Sequence, residues 1–264
     1  MNTVANIMEA FSLLGKVAVV TGGAGKYGRQ IVKALAEAGA STWLTSSRQD
    51  QLELLEREFH ETGHAVKAVY MDLSDESSIH AAKDRIVQEE GQVDVLVNNA
   101  VARPMKNGWE EESFKFAESM KVNATGLFIA TRAFGNRMAE RQSGSIINIG
   151  SMYGMVGPDT TLYEGLGTKV NPDYFFHKAG MINFTRYVAS HYGPEGVRCN
   201  CVSPGGYWTK MTPDIFTERY KKRTLLGRMA GDTDLMGAIV FLASEASSYI
   251  TGANLPVDGG YTAK

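Results

Sequence analysis

The chain has 264 residues, of which 44% are hydrophobic and 21% charged, and its formal net charge is −2. A length of this order suits one large domain around a single core, and the near-neutral balance offers no basic excess for nucleic acid or an anionic membrane. No apolar run approaches the roughly 18 residues that a membrane span needs.

Residues 1–15 carry Glu9 and no basic residue ahead of their apolar part. They read as an N-terminal extension and not as a secretion signal. Residues 16–21, Lys16-Val17-Ala18-Val19-Val20-Thr21, form a β-branched run that predicts a strand buried on both faces. Gly22-Gly23-Ala24-Gly25-Lys26-Tyr27-Gly28 follows, and then residues 29–38 carry a helical apolar pattern that Gly39 stops. Strand, glycine turn and helix form the context of a dinucleotide fingerprint, and Gly23, Gly25 and Gly28 match G-x-G-x-x-G. Glycines let the backbone approach a pyrophosphate, and a helix N-terminus offers N–H donors to it. The plain alternative is a structural turn.

Residues 41–46 read as the second strand. Thr45-Ser46-Ser47-Arg48 stands where an acidic residue would hold the ribose hydroxyls of NAD. No carboxylate repels a 2′-phosphate, and Arg48 can pair with one, so the sequence favours NADP(H) and leaves NAD(H) as the alternative. The plain reading of Arg48 is an exposed helix-start residue. Residues 51–62 are a charged amphipathic helix, and residues 65–71 a third strand followed by Asp72-Leu73. Residues 75–90 are a helix with a cap at Ser74 or Asp75. Residues 93–97 are a fourth strand ending in Asn98-Asn99-Ala100. Alternating strands and helices imply β-α-β units and a parallel sheet, with ligands beyond the carboxyl ends of its strands. Gly22, Ser46, Asp72 and Asn98 should therefore reach one edge.

A helix over residues 110–121 runs through Val122-Asn123-Ala124 into a second helix reaching about residue 141. Asn123 alone reads equally as a hydrogen-bonded core amide. Residues 144–149 are a fifth strand, closed by Gly150-Ser151. Residues 152–173 lose periodicity, and residues 174–192 form a long helix opening with Tyr174-Phe175-Phe176-His177-Lys178. Tyr174 and Lys178 share one helix face. A cation beside a phenol favours the phenolate and brings it toward the range of a general acid or base, although such a pair alone is often a solvated face. Residues 196–202 are a sixth strand, broken by Ser203-Pro204-Gly205-Gly206. Cys199 and Cys201 lie two apart on it, an arrangement that disfavours a disulfide and fits a reduced, cytoplasmic compartment. Residues 206–228 read as a flap over a pocket and residues 233–244 as a helix. Leu255-Pro256-Val257 is a short strand that its proline confines to an edge. Nothing marks a linker, so residues 1–264 form one domain.

In order and spacing, these motifs closely resemble the short-chain dehydrogenase/reductase family from Lys16 onward. The set is Thr21-Gly22 with Gly28, Asp72-Leu73, Asn98-Asn99-Ala100, Asn123, Ser151, Tyr174-x-x-x-Lys178, Pro204-Gly205 with Thr209, and Val257-Asp258-Gly259-Gly260. Phe11-Ser12-Leu13-Leu14-Gly15-Lys16 and the tail also resemble its gluconate and deoxy-gluconate dehydrogenase branch. The resemblance implies a Rossmann-like α/β fold: a doubly wound parallel sheet of seven strands in the order 3-2-1-4-5-6-7, with helices on both faces. It implies that Tyr174 is the general acid/base, and that Lys178 depresses its pKa and holds the nicotinamide ribose. Ser151 would bond the substrate oxygen, and Asn123 would hold a helix kink and a water of the proton relay. Gly22, Gly25, Lys26, Tyr27, Gly28, Ser47, Arg48, Asp72, Leu73, Asn99, Ala100, Tyr174, Lys178, Pro204, Gly205 and Thr209 would bind the cofactor. No metal is called for, and the resemblance implies a homotetramer built from residues 127–141, 174–192 and the C-terminal edge.

Three departures stand out. Lys26 occupies the middle glycine of the family's T-G-x-x-x-G-x-G turn, and Val101 follows Asn98-Asn99-Ala100 where glycine is usual. Ser151 and Tyr174 are 23 residues apart, well beyond the usual spacing, which puts an insertion over residues 155–172 beside the active site. Insertion and flap are rich in polar and aromatic side chains, which suits a hydroxyl-rich ligand, with Ser151, Tyr153, Tyr163, Glu164 and Tyr207 as substrate candidates. The expected activity is NAD(P)(H)-dependent interconversion of a secondary alcohol and a ketone on a sugar, sugar acid or polyol. The alternatives are a reductase of 3-oxoacyl thioesters or small ketones, and a non-catalytic NADP-binding regulator.

Overall fold

The computed structural model describes residues 6–264. Its short apolar runs become the centre of one sheet. β1 (Val17–Val20) and β4 (Val95–Asn98) are buried at every position, as a sheet covered on both faces requires. β2 (Ser41–Ser46) and β3 (Val66–Tyr70) extend it on one side. β5 (Gly144–Ile149), β6 (Val197–Pro204) and β7 (Asn254–Val257) extend it on the other. All pairings are parallel and the order is 3-2-1-4-5-6-7, as expected. Pro256 sits on the edge strand β7, opposite Ser203, where a missing N–H can face outward.

Successive side chains of a strand point to opposite faces, and β1 divides its own accordingly. Ala18 and Val20 join one core with Ile31 and Leu35 of α2 (Lys26–Glu37), Phe59 of α3 (Leu52–Glu61) and Ile239 of α9 (Met236–Ala243). Val17 and Val19 join the other with Ile79 of α4 (Glu76–Glu90), Phe134 of α6 (Leu127–Glu140) and Val188 of α7 (Pro172–Tyr192). α1 is the short helix Ile7–Ala10. α5 (Ser113–Met120) runs into α6 through a π-helical stretch, Lys121–Gly126, with Asn123 inside it.

A helix was expected from residue 110; the structure has a 3-10 turn at Gly108–Glu110 and starts α5 at Ser113. α7 begins two residues ahead of Tyr174, because Pro172 supplies the backbone angle of a first helical turn. The flap holds α8 (Asp214–Lys221). Insertion and flap share a third, small core in which Met152, Leu162, Tyr220 and Met229 are buried. Cys199 and Cys201 are buried, free thiols. No helix among the described residues is long and apolar enough to cross a membrane. None of their His, Cys, Asp and Glu side chains cluster in a way that would hold a metal.

Candidate active site

The carboxyl ends of the strands meet where strand order reverses, between β1 and β4, and a cleft of about 930 Å³ opens there. Its floor is the glycine turn. The Thr21 hydroxyl accepts the N–H groups of Asn99 and Ala100, each at 3.0 Å. Asn99 donates its amide hydrogens to the carbonyls of Thr21 (3.0 Å) and Gly22 (2.9 Å). The turn is thus laced to the end of β4, and Asn99 acts as its brace. Gly22 has φ +63°, and a Cβ there would stand 2.7 Å from the Ala100 Cα. A Cβ on Gly28 would stand 2.4 Å from the Gly22 carbonyl oxygen.

α2 starts earlier than the apolar pattern suggested. Gly25 is its N-cap and no side chain caps it, which leaves its first N–H groups open to an anion. Lys26 therefore occupies the first helical position, where a side chain is tolerated, and adds a cation to the cleft wall. Tyr27 donates its hydroxyl to the Gly205 carbonyl at 2.8 Å and ties α2 to the exit of β6. Ser47 and Arg48 are exposed at the end of β2, and Arg48 has no ion-pair partner among the described residues. A glycine floor, an uncapped helix start and a groove of this volume fit a nicotinamide dinucleotide.

At the other end of the cleft, Ser151 caps the 3-10 turn Met152–Gly154, its hydroxyl oxygen accepting the Tyr153 N–H at 3.1 Å. No protein group among the described residues accepts its hydrogen, which is free to be donated. Tyr174 is half-buried in the cleft wall. Lys178 is only 3% exposed; its ammonium donates to the Ile149 carbonyl at 2.5 Å and lies 5.8 Å from the centre of the Tyr174 ring. Burial pushes Lys178 down to about 8, against an upward pull from Cys201 and with a further push from Arg103. Asn123 is buried behind the wall. Its carbonyl oxygen accepts the Ala102 N–H (2.8 Å), and its amide donates to the Ala102 carbonyl (2.8 Å) and the Ser119 hydroxyl (2.9 Å). The loop after β4 is pinned to the π-helical stretch in this way. Tyr153 stacks on Phe175 at 4.7 Å and shares a 2.8 Å hydrogen bond with the Tyr163 hydroxyl. Burial raises the pKa of Tyr27, Tyr153, Tyr163 and Tyr220, so these remain neutral phenols.

Of the predicted cofactor residues, all but Thr209 line this cleft, as do all the substrate candidates but Glu164. Thr209 spends its hydroxyl on Thr212 at the flap base. Glu164 is exposed on the outer side of the insertion, where its carbonyl accepts Arg219. The insertion lies on α8. Asp159 pairs with Arg223 at 2.5 Å, and Leu162 is fully buried beside Tyr220. Sequence reasoning missed Arg103, whose guanidinium lies 4.4 Å from the centre of the Tyr174 ring with no carboxylate partner among the described residues. The signal was a lone arginine, before Pro104, in the loop that follows Asn98-Asn99 to the ligand edge.

A family model described as enoyl-(acyl carrier protein) reductase matches residues 25–262. The chain is 34% identical over 259 residues to galactitol 2-dehydrogenase (L-tagatose-forming) of Cereibacter sphaeroides, covering 96% of this chain and 97% of that one. It is 34% identical over 252 residues to the 3-oxoacyl-[acyl-carrier-protein] reductase of Aquifex aeolicus, covering 94% and 98%. The structure of a gluconate 5-dehydrogenase from Burkholderia cenocepacia in complex with NADP and tartrate matches it with a TM-score of 0.88 at 28% identity, over 98% of this chain and 100% of that one. The chain belongs to the short-chain dehydrogenase/reductase family and is an NAD(P)-dependent oxidoreductase acting on CH–OH groups.

Proposed function

We propose that this oxidoreductase interconverts a secondary alcohol and a ketone on a carbohydrate-like substrate, a sugar acid ahead of a neutral sugar or polyol, with NADP(H) preferred. The observation that carries the substrate class is Arg103, a guanidinium held against the ring of Tyr174 without an anionic partner. An unpaired guanidinium beside the reacting group suits a carboxylate, which it can bind through two parallel hydrogen bonds. Arg48 at the end of β2, exposed and without an ion-pair partner among the described residues, supports the 2′-phosphate of NADP in the same way.

Tyr174 gives a proton to the substrate oxygen or takes one from it. Ser151 donates its free hydroxyl hydrogen to the same oxygen and stabilises developing alkoxide charge. Lys178 holds positive charge beside the phenol and, with Gly22, Gly25, Lys26, Tyr27 and Gly28, orients the cofactor. Ser47, Arg48, Asp72 and Leu73 hold its adenosine end; Ala100, Pro204 and Gly205 belong to its nicotinamide end. The bound nicotinamide supplies or accepts the hydride. Tyr153, Tyr163 and Tyr207 offer hydroxyls and aromatic faces to the substrate. We take residues 1–264 as one catalytic domain, with an extension over 1–15, an active-site insertion over 155–172 and a substrate flap over 206–228. We also take the enzyme as a cytoplasmic homotetramer; exposed Phe128 on α6 and Phe176 and Tyr187 on α7 support contacts through those helices.

A panel of aldonates, polyols and 3-oxoacyl thioesters, run with each nicotinamide cofactor, tests this. Aldonates should turn over best, and Arg103→Ala should raise their KM by about tenfold or more while neutral polyols change little. Turnover of acyl thioesters alone would sink the carbohydrate reading. Tyr174→Phe should keep cofactor binding and lose most turnover. Tighter binding of NADH than NADPH by the wild type, measured by fluorescence titration, would overturn the Arg48 argument.

A further inference from the structure

Behind Tyr174 and Lys178 lies a second pair with the same spacing. Asp173 and His177 stand one turn apart on α7, and Ser119 and Asn123 stand four apart on the facing α5 and π-helical stretch. Asp173 is 2% exposed, and one of its oxygens accepts the Ser119 hydroxyl at 2.5 Å. Ser119 in turn accepts the Asn123 amide at 2.9 Å. The other Asp173 oxygen has no protein partner among the described residues, and Asp173 reaches the cleft wall. His177 is 4% exposed. Its ring meets Tyr174 edge-on at 5.3 Å and 88°, and neither of its nitrogens has a hydrogen-bond partner.

Burial, with the charges of Lys178 and Arg103, pushes the imidazole down to about 3. The ring is therefore neutral at working pH, with one donor and one acceptor, and takes no proton from the reaction. Burying both nitrogens unpaired is unfavourable, and phenylalanine would fill the same space without that cost. Buried polar groups of this kind are met by ordered water, which needs two or more polar partners.

We propose that His177 is a positioning residue for Tyr174, holding with Asp173 an ordered water in this buried seam and so fixing the aim of the phenol. The inference rests on Tyr174 being the proton donor and acceptor. It explains why the helix opens with a buried carboxylate and imidazole flanking its tyrosine.

The test is kinetics with D-gluconate and NADP⁺. His177→Phe should lower kcat by about tenfold or more, with both KM values within about threefold and no loss in Tm. His177→Gln, which keeps a donor and an acceptor, should recover about a third of the rate or more. Asp173→Asn should also be slow, and the Asp173→Asn/His177→Phe double variant should be no slower than the worse single one. A His177→Phe enzyme within about twofold of wild type in kcat overturns the proposal, as does a loss that glutamine fails to rescue. If His177→Phe does not fold, the cycle of Asp173→Asn with His177→Gln decides, and additive losses overturn the proposal. If D-gluconate is not turned over, the best aldonate or polyol of the panel replaces it. Turnover of acyl thioesters alone, or full activity of Tyr174→Phe, refutes the functional reading itself; a normal His177→Phe enzyme beside an inactive Tyr174→Phe refutes only the role of His177.

Discussion

Lys178 is an ammonium sealed in the protein with one carbonyl for company, and replacing it by methionine should make the cofactor-free fold more stable and the enzyme inactive. The side chain is 3% exposed and donates to the Ile149 carbonyl. Its pKa falls from 10.5 to about 8, mainly through burial. At about 1.4 kcal/mol for each pH unit, charging this group in the folded chain costs about 3 kcal/mol more than in the unfolded one. The unfolded chain binds more protons between pH 8 and 10.5, so wild-type stability rises with pH across that window and the full penalty applies below it. Lys178→Met removes the penalty and leaves the Ile149 carbonyl unpaired, at a loss of about 1 kcal/mol. The variant should therefore be about 2 kcal/mol more stable near pH 6.5, and the gap should close and reverse toward pH 10.5. Urea unfolding of both proteins without cofactor, at about pH 6.5 and about pH 9.5, measures this. A variant less stable than wild type at the lower pH, or a gap that stays constant with pH, would refute the reasoning.

Gly28→Ala puts a methyl group 2.4 Å from the Gly22 carbonyl oxygen and 2.9 Å from the Gly23 Cα. Backbone must move, so calorimetry should show cofactor affinity down about tenfold or more and stability down about 2 kcal/mol; unchanged binding would mean that the turn does not cradle the cofactor. Leu162→Ala empties a fully buried site in the small core shared by insertion and flap. A local loss of about 3 kcal/mol should raise substrate KM and expose the insertion to limited proteolysis, with the urea midpoint of the main sheet little changed. Burial holds the Cys199 and Cys201 thiols above their usual pKa range. A chromogenic disulfide reagent at about pH 8 should therefore titrate neither in the native protein and both in urea.

The sheet was legible because its signal is local. Valine-rich runs mark β1, β3 and β4, the remaining strands are short stretches bounded by turn residues, and the proline inside Leu255-Pro256-Val257 predicts an edge. The ligand edge followed from the same reading: Gly22, Ser46 and Asp72 line the cleft as predicted, whereas Asn98 turns into the core to bond Thr131 and Asn148 and its neighbour Asn99 reaches the cleft instead. Helix starts were read late where the first turn is polar or glycine-rich: Gly25 caps α2 and Pro172 opens α7, and neither carries apolar periodicity. Periodicity gave no sign of the π-helical stretch at Lys121–Gly126, because a wider turn leaves no pattern in six residues; only the family resemblance implied a kink there, at Asn123. The insertion was recognised by its length, but its path is fixed by partners far along the chain. Asp159 pairs with Arg223, and the carbonyls of Leu162 and Glu164 accept Arg219.

These contacts separate the chemistry from the specificity. Ser151 ends a fully paired strand, and Tyr174 and Lys178 sit in the first turns of a 21-residue helix packed on the main core. The insertion and α8 hold each other through a separate small core, so one wall of the pocket can change without disturbing Tyr174, the proposed proton-transfer group. Arg103 belongs to neither arrangement. It follows Ala102, whose N–H and carbonyl are both bonded to Asn123 inside the π-helical stretch. Asn123 therefore does more than hold a helix irregularity. It fixes the residue next to Arg103, whose guanidinium, like the Lys178 ammonium, lies over the Tyr174 ring. On the proposed role of Arg103, this ties the placement of substrate charge to the same buried network, Asn123–Ser119–Asp173, that reaches the start of α7.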